Sequence, residues 1–238
     1  MRVLDLSYHP LDVRSGGWVD LSRKGNHGTP YGGARPYMIA PGVMGYWFDE
    51  NSGYVDCGND ESLNVTGDFI TISVWVKRNV LSGIHYIVSK GRNPDSCYAY
   101  TLYQNNTRFY WYPIGGEEPV SSSHNDYNWH YVVGIYDRTL PSANAKIYVD
   151  GILEGTANNT NQIENVTCRV TVGADPLPAS YFNGLVAQPI IEDRAWSEAE
   201  VRENMYRSPL YRMLRGLPHS MIYTKVPWKQ TQGGIYVP

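Results

Sequence analysis

The stretch "FITISVWVK" (residues 69–77) decides the fold class of this 238-residue chain. Its residues alternate with period two, which places successive side chains on opposite faces of an extended strand. One face is aliphatic and the other is mixed: Ile70, Ile72, Val74 and Val76 against Thr71, Ser73, Trp75 and Lys77. The stretch therefore predicts a long strand that buries its aliphatic face in a core.

Similar β-prone runs recur along the chain, and clusters of Gly, Asn, Asp and Pro separate them. They lie at 45–49, 53–58, 85–91, 97–103, 108–114, 129–137, 146–151, 166–174 and 180–194. In "KIYVDG" (146–151), Asp150-Gly151 can supply the positive φ angles of a tight hairpin turn. We expect Ile147 and Val149 to face the core, and Lys146 and Tyr148 to face outward. Many short strands with almost no helical periodicity predict a sandwich or barrel.

One helix signal stands late in the chain, in "AWSEAEVRENMYRS" (195–208). Ser197 and Glu200 form a capping-box pattern, and Pro209 is expected to end the helix. The residues beyond Gly216 include apolar anchors but show no period that closes a core. We expect them either to pack along their own domain or to lie on a neighbouring subunit by strand addition. The predicted division is a sandwich over 1–215 and an extended tail or arm over 216–238.

Composition and charge exclude several function classes. The net charge of −3 and the pI near 6.1 argue against a general affinity for nucleic acid or anionic lipid. No stretch approaches the roughly 18 apolar residues of a membrane span. No classical signal peptide is visible in "MRVLDLSYHP" (1–10). The three cysteines, an odd number, are read as small buried apolar residues, with one disulfide left open: Cys57, Cys97 and Cys168.

The aromatic residues indicate a binding surface. The chain has 20 Tyr and 7 Trp but only 4 Phe, and Tyr and Trp suit surfaces that are apolar yet wet. Part of this excess reflects the β propensity of Tyr. Strand parity turns Phe109 and Trp111 inward and leaves a candidate glycan platform on outward positions: Trp75, Tyr98, Tyr100, Arg108, Tyr110 and Tyr112. The alternative is that the helix, the long loops or the tail cover these aromatics.

Several stretches together resemble laminin-G-like jelly-roll domains of the concanavalin A-like lectin/glucanase superfamily. They are "DLSRKGNHGTPYGGA" (20–34), "YWFDENSGYVDCGNDESLNVTGDFITISVWVKRN" (46–79), "WHYVVGIYD" (129–137), "KIYVDG" (146–151), "VGA" (172–174) and "YFNGLVAQPIIEDRAWSEAEV" (181–201). The resemblance implies an all-β, concanavalin A-like antiparallel β-sandwich (jelly roll) with one short C-terminal helix and an extended tail. Such domains typically bind glycans or protein surfaces, and many are non-catalytic.

Many members of this family also hold a structural calcium ion. The resemblance leaves Asp20 and Asp49 as candidate calcium ligands, because hard cations need several oxygen ligands. Ala187 and Gln188 stand where the family often has Asp and Glu, which weakens such a site. Pro189 removes a ladder donor from the same strand and predicts an edge or a bulge there.

Sequence patterns of catalysis are not found. The Glu-x-Asp-x-x-Glu run of the superfamily's glycosidases is missing, and the adjacent Glu117 and Glu118 would point to opposite faces of a strand. The six histidines show no HxH or HExxH spacing, so no zinc site is predicted. His130 shares a strand face with Tyr136, but a lone strand histidine more often packs or forms hydrogen bonds. We therefore expect no enzyme and no cofactor other than the candidate calcium.

Three functional hypotheses follow. The first is a non-catalytic surface component of a phage or virus particle, a capsid decoration or fibre protein, whose tail contacts the capsid or other subunits. "MYRSPLYRML" (205–214) resembles the helix-exit segment of phage-encoded family members. The second is a stand-alone carbohydrate-binding lectin for adhesion, and the third is a divergent glycoside hydrolase or polysaccharide lyase. We expect a location on the virion surface or outside the cell, with a glycan or protein surface as partner.

Overall fold

The computed structural model describes residues 1–6, 17–93, 97–176, 180–217, 229–230 and 236–237, with the backbone alone described for 92–93, 97–98, 229–230 and 236–237. Two antiparallel sheets pack face to face and enclose one large apolar core. The predicted all-β sandwich is therefore confirmed.

The larger sheet has eight strands, and every neighbouring pair is antiparallel. In chain order its strands are β1 (Arg2–Asp5), β3 (Arg35–Ala40), β4 (Val43–Asp49), β6 (Phe69–Arg78), β12 (Trp129–Asp137), β13 (Ala145–Val149), β14 (Ile152–Ala157) and β16 (Asn183–Glu192). Across the sheet the order is β14-β13-β12-β6-β16-β4-β3, and β1 pairs with one end of β16.

The smaller sheet has six strands in the order β11-β10-β7-β15-β5-β2. These are β2 (Thr29–Tyr31), β5 (Tyr54–Asp56), β7 (Ile84–Ser89), β10 (Thr101–Asn105), β11 (Arg108–Tyr112) and β15 (Thr171–Val172). Two short ladders complete the strands: β8 (Arg92–Asn93) with β9 (Cys97–Tyr98), and β17 (Lys229–Gln230) with β18 (Tyr236–Val237). A single 3₁₀ turn covers Glu61–Leu63.

The core between the sheets follows the predicted strand parity. The aliphatic residues of β6 point into this core, and Ile70 and Val76 are both completely buried. From the other sheet, Phe109 and Trp111 enter the same core, as expected, and both are also fully buried. The indole Nε1 of Trp111 donates a hydrogen bond to the carbonyl oxygen of Ile135 at 3.1 Å, so its polar atom is satisfied inside the core.

The hairpin predicted at Asp150-Gly151 joins β13 to β14. Asp150 has φ of 52° and Gly151 has φ of 80°, the left-handed pair that a tight two-residue hairpin turn needs. Val149 pairs directly with Ile152 across this turn. The prediction for this hairpin is therefore confirmed, as is the burial of Ile147 and Val149 in the core.

Strand β16 contains the bulge that Pro189 predicts. Its register against β6 shifts between Ala187 and Ile190, and Gln188 has a φ of 54°. The carbonyl oxygen of Pro189 accepts a hydrogen bond from the amide of Leu6 at 2.9 Å. The missing proline donor is thus accommodated in the interior of the sheet rather than at its edge.

Two helices follow the last strand of the sandwich, where the sequence predicts one. Helix α1 (Glu198–Arg207) begins with the predicted capping box of Ser197 and Glu200. Pro209 does end α1, but it also stands in the first turn of α2 (Pro209–Leu214), capped by Ser208. Proline suits that position because its missing amide has no helical partner there. Within the described ranges, no helix has the length and apolarity that a membrane crossing requires.

The helices cover the outer face of the eight-stranded sheet and enclose a second apolar cluster. Trp75, Tyr131 and Tyr148 of the sheet pack there beneath Val201, Met205 and Leu210 of the helices. Tyr148 does point to the outer side of the sheet, as predicted. The helices cover it there, so it is only 4% exposed.

The cysteines fall into two classes. Cys57 is free and lies in the core, in agreement with its reading as a small apolar residue. Cys168 is disulfide-bonded. The sequence alone leaves one disulfide open, because three cysteines allow at most one such bond within the chain.

Candidate functional site

Three tyrosines from adjacent strands stack on the outer face of the six-stranded sheet. Tyr103 of β10 stands directly opposite Tyr86 of β7 and Tyr110 of β11 in the ladder register. The Tyr103 and Tyr110 ring centroids are 5.0 Å apart and nearly parallel, and those of Tyr86 and Tyr103 are 5.8 Å apart. Leu102, Phe109 and Trp111 fill the inner face of the same strands. Alternation along these strands therefore produces a row of rings on the outer side.

A second tyrosine pair stands at the opposite edge of the same outer face. Tyr31 of β2 and Tyr54 of β5 are cross-strand partners, and their rings stack with centroids 5.2 Å apart. Tyr31 is 46% exposed and Tyr54 is partly exposed. Strands β5 and β7 flank β15, so the facing members of the two stacks, Tyr54 and Tyr86, stand about 10 Å apart at the usual strand spacing. We call the five residues Tyr31, Tyr54, Tyr86, Tyr103 and Tyr110 the tyrosine face. Tyr103 is only 2% exposed, so the accessible ring surface of this face comes from the other four tyrosines.

Charged side chains stand beside both stacks. Arg169 pairs with Asp56, its Nη1 atom 2.8 Å from Oδ2, next to Tyr54. At the other end, the hydroxyl of Tyr103 donates a hydrogen bond to the carboxylate of Glu118. Burial raises the pKa of Tyr54. The tyrosine face therefore combines apolar ring surfaces with donors and acceptors that can read hydroxyl groups.

Arg108 and Tyr110 are the two predicted platform residues that reach solvent in this region. Arg108 is exposed, and its Nη1 atom donates to the carbonyl oxygen of Ser121 at 2.8 Å. Tyr110 is partly exposed and belongs to the tyrosine face. Tyr112 lies on the same outer side but is only 3% exposed, so its prediction as an accessible platform residue is wrong. The side chain of Tyr98 lies outside the described residues.

The predicted exposure of Trp75 and Tyr100 is wrong for two different reasons. Trp75 does lie opposite the core face of β6, but α1 and α2 cover it, and its ring centroid is 6.5 Å from that of Tyr211. Tyr100 lies in the main core because the predicted strand 97–103 is interrupted between Tyr98 and Thr101. Its hydroxyl donates to the carbonyl oxygen of Leu63 at 3.0 Å. Both residues therefore have a structural role.

Four residues of the tyrosine face, Tyr31, Tyr54, Tyr86 and Tyr103, are missing from the predicted platform. Strand parity does provide a signal for Tyr86 and Tyr103, because each alternates with a core residue. Nothing local in the sequence pairs Tyr31 with Tyr54, since 22 residues separate them along the chain.

The carboxylates of both candidate calcium ligands accept hydrogen bonds from backbone amides. The Asp20 carboxylate accepts hydrogen bonds from the amides of Asp5, Ser22 and Asn26 and from the Ser22 hydroxyl. Asp49 Oδ1 accepts from the amides of Asn51, Ser52 and Gly53. The lone pairs of the Asp20 carboxylate and of Asp49 Oδ1 are thus engaged by donors of the protein itself. These residues do not fit the expected calcium site, so no role is derived from a calcium ion.

A different titratable cluster does assemble among the described residues. His124, Asp126 and His130 each offer a potential ligand atom, and these atoms lie within 4.8 Å of one another. Five residues separate His124 from His130, a spacing that is neither HxH nor HExxH, so those patterns do not predict the cluster. Burial lowers the pKa of His130, but hydrogen bonds and charge from Asp150 and Asp126 outweigh it and raise that pKa overall.

Comparison with known families identifies the sandwich. A family model described as the concanavalin A-like lectin/glucanases superfamily matches residues 49–202. The chain belongs to this superfamily. Its lectin-type sandwich agrees with the resemblance drawn from the sequence, although no curated protein matches the chain in sequence.

Solved structures share this lectin-type fold at low sequence identity. The binding domain of botulinum neurotoxin serotype G matches with a TM-score of 0.63 at 17% identity, over 90% of this chain and 51% of that chain. The binding domain of botulinum neurotoxin DC in complex with SialylT gives 0.60 at 14%, over 90% and 51%. Domain 4 of AbnA, a GH43 extracellular arabinanase from Geobacillus stearothermophilus, in complex with arabinotriose, gives 0.61 at 15%, over 85% and 97%. This lectin-type chain thus spans about half the length of the neurotoxin chains.

Proposed function

We propose that this protein is a non-catalytic, lectin-like binding module whose tyrosine face binds an oligosaccharide. The observation that carries the proposal is the pair of tyrosine stacks on one outer sheet face, each with charged side chains beside it. Aromatic rings stack on the apolar faces of sugars, and carboxylate and guanidinium groups form hydrogen bonds with their hydroxyls. The structures in complex with SialylT and with arabinotriose support a glycan ligand for this fold.

The separation of the two stacks favours an oligosaccharide over a single sugar. One ring contact would come from Tyr110 and its neighbours and the other from Tyr31 with Tyr54. Strand spacing places the facing members of the two stacks, Tyr86 and Tyr54, about 10 Å apart and the outermost members, Tyr110 and Tyr31, about 24 Å apart. A ligand that contacts both stacks binds more tightly than a single sugar, because its second contact forms within one molecule.

The proposal is tested on a glycan array with the intact protein and three tyrosine variants. Tyr110→Ala and Tyr31→Ala are each expected to reduce binding to the recognised glycan about tenfold or more, a loss of about 1.4 kcal/mol. Tyr37→Ala is the matched control, because Tyr37 is 45% exposed, close to the 46% of Tyr31, and belongs to β3 of the other sheet. Silence of the folded intact protein across a broad array, or equal losses in all three variants, would contradict the proposal.

The disulfide supports a location outside the reducing cytosol. Disulfides persist in secreted, cell-surface and virion proteins and are rare in cytosolic ones, and Cys168 is disulfide-bonded. Mass spectrometry of the protein from its native source, alkylated before and after reduction, tests this location. Complete alkylation of all cysteines without reduction would contradict it.

The more specific role as a capsid decoration or fibre protein stays a prediction from the sequence. In that role residues 216–238 would form the contact with the capsid or with other subunits. Deletion of 218–238 is then expected to abolish attachment to particles while the sandwich still folds and still binds glycan. Unchanged attachment of the truncated protein would contradict the role of the tail and leave the glycan proposal in place.

The hydrolase or lyase hypothesis predicts a measurable product. Incubation with the glycan that the array identifies would release reducing sugar if the protein were a glycoside hydrolase. We expect no release beyond that of a heat-denatured control.

A further inference from the structure

We infer that His124, Asp126 and His130 form a binding site for a divalent transition-metal ion of the zinc type. The inference rests on residues that do not belong to the tyrosine face and goes beyond the proposed glycan function. The three ligand atoms lie within 4.8 Å of one another, on the turn that leads into β12 and at the start of that strand. Imidazole nitrogen together with carboxylate oxygen is a donor set that zinc prefers, whereas calcium and magnesium prefer oxygen alone.

The two imidazole rings of the cluster lie in direct contact. Their centroids are 4.7 Å apart with planes inclined by 62°. The Nε2 atom of His130 is 3.0 Å from Asp126 Oδ1, close to the ligand separation of about 3.3 Å in a tetrahedral site with bonds of about 2.0 Å. Asp126 stands on the exposed side of the cluster, with 37% of its side chain accessible.

A supporting carboxylate orients His130. Asp150 Oδ2 lies 2.8 Å from Nδ1 of His130, and Asp150 Oδ1 accepts the amide of Tyr131 at 2.8 Å. When Nδ1 carries the proton donated to Asp150, the lone pair of Nε2 points toward Asp126. Carboxylate–histidine–metal arrangements of this kind fix the tautomer and raise the basicity of the ligand.

Glu154 provides a further oxygen on the other histidine. Its Oε2 atom is 2.9 Å from Nε2 of His124 and also accepts the amide of Ser122 at 2.9 Å. In a complete site it would either become the fourth ligand or orient His124 while water takes the fourth position. Because Glu154 belongs to β14, the metal would tie the 124–126 turn to the β13–β14 hairpin.

The local charge suits a divalent cation. The cluster contains three carboxylates, from Asp126, Asp150 and Glu154. One positive group stands next to them, since Arg78 Nη2 donates to the carbonyl oxygen of His124 at 2.6 Å. With neutral imidazoles, three negative charges and one positive charge leave a net charge of −2. A bound divalent ion would balance that charge in a partly buried position.

The test measures metal binding by the full chain after dialysis against a chelator. Titration with Zn²⁺ is expected to show one saturable site, and Co²⁺ is expected to give the intense visible bands of a tetrahedral N/O site. The amide variants Asp126→Asn and His124→Gln remove a ligand with little change in shape. Each is expected to weaken Zn²⁺ binding at least about tenfold. Asp137→Asn, a change of the same kind at the other end of β12, is the control and should bind as the intact protein does.

Asp150→Asn tests the supporting role separately. Asparagine also tolerates the positive φ of this turn position, so the hairpin should be retained. The expected result is a weaker affinity and a shifted Co²⁺ spectrum at unchanged stoichiometry. The inference is overturned if the folded intact protein shows no saturable Zn²⁺ binding, or if Asp126→Asn and His124→Gln bind as tightly as the control.

Discussion

The indole ring of Trp111, from the six-stranded sheet, packs directly on Gly134 of the eight-stranded sheet. A Cβ atom placed at Gly134 would overlap three atoms of that ring. The same indole donates a hydrogen bond to the carbonyl oxygen of Ile135, so the ring cannot shift without losing it. This contact therefore sets the spacing of the two sheets at one point of the core.

Gly134→Ala is expected to lower the free energy of unfolding by about 1–3 kcal/mol, the usual cost of overpacking a core. Urea denaturation followed by tryptophan fluorescence measures this cost. An unchanged midpoint would show that the sheets separate freely here and that the Trp111 contact is not a constraint.

Trp75 should matter for stability and not for glycan binding. It is 3% exposed beneath the helices, so Trp75→Ala is expected to cost about 3–5 kcal/mol of unfolding free energy. Tyr206→Ala, on the exposed side of α1, should cost far less. Binding of Trp75→Ala to the array glycan, measured below its melting temperature, is expected to equal that of the intact protein. A selective loss of binding in this folded variant would return Trp75 to the ligand site.

The cap of α1 contributes to the attachment of the helices. Ser197 Oγ accepts the amide of Glu200, and the Glu200 carboxylate accepts the amide of Ser197. Ser197→Ala is expected to lower the unfolding free energy by about 0.5–2 kcal/mol. Ser142→Ala, in an exposed loop, is the control substitution. Equal thermal midpoints for both variants would mean that α1 adds nothing to the measured stability.

Lys90 should give a specific pH dependence of stability. Burial lowers its pKa from 10.5 to about 8, and its Nζ atom is held by the side-chain oxygens of Asn59 and Asn64 at 2.6 and 2.7 Å. Between those two pKa values the unfolded chain binds more protons at this residue than the folded chain does. The unfolding free energy contributed by Lys90 therefore rises with pH in this window, while below it the penalty for burying the charge is complete.

Lys90→Met removes this titration. The stability of the intact protein relative to Lys90→Met is expected to increase from about pH 8 to about pH 10 and to stay level from about pH 6 to pH 7.5. Urea titrations of both proteins across this range provide the measurement. A constant difference at every pH would show that the Lys90 pKa is the same in the folded and unfolded chains.

The parts of the fold that depend on local patterns are predictable from the sequence. The alternation in 69–77 and the turn at Asp150-Gly151 both reflect interactions between near neighbours, and both are confirmed. The capping box of Ser197 and Glu200 predicts α1. In the sequence Pro209 predicts only the end of α1, although α2 begins at that same proline. Proline ends one helix and begins the next for the same reason, since it lacks an amide hydrogen.

The candidate site is less predictable, because exposure depends on distant segments. Parity places Trp75 correctly on the outer side of β6, yet helices more than 100 residues away cover it. The Tyr31–Tyr54 pair and the His124–Glu154 contact also join segments far apart in sequence. Arg108 and Tyr110 lie on the accessible outer side that parity predicts, whereas Tyr112 of the same strand is buried, because parity gives the face of the sheet and not its exposure.

The two outer faces of the sandwich differ, because helices cover the eight-stranded sheet and, among the described residues, none covers the six-stranded sheet. Helix α2 ends at Leu214 on that side, whereas the stacked rings lie on the opposite side of the sandwich. The described residues Leu214 to Leu217 therefore lie at the back of the module, on the side away from the rings. A partner that contacts this back face would leave the rings on the opposite side open to a ligand.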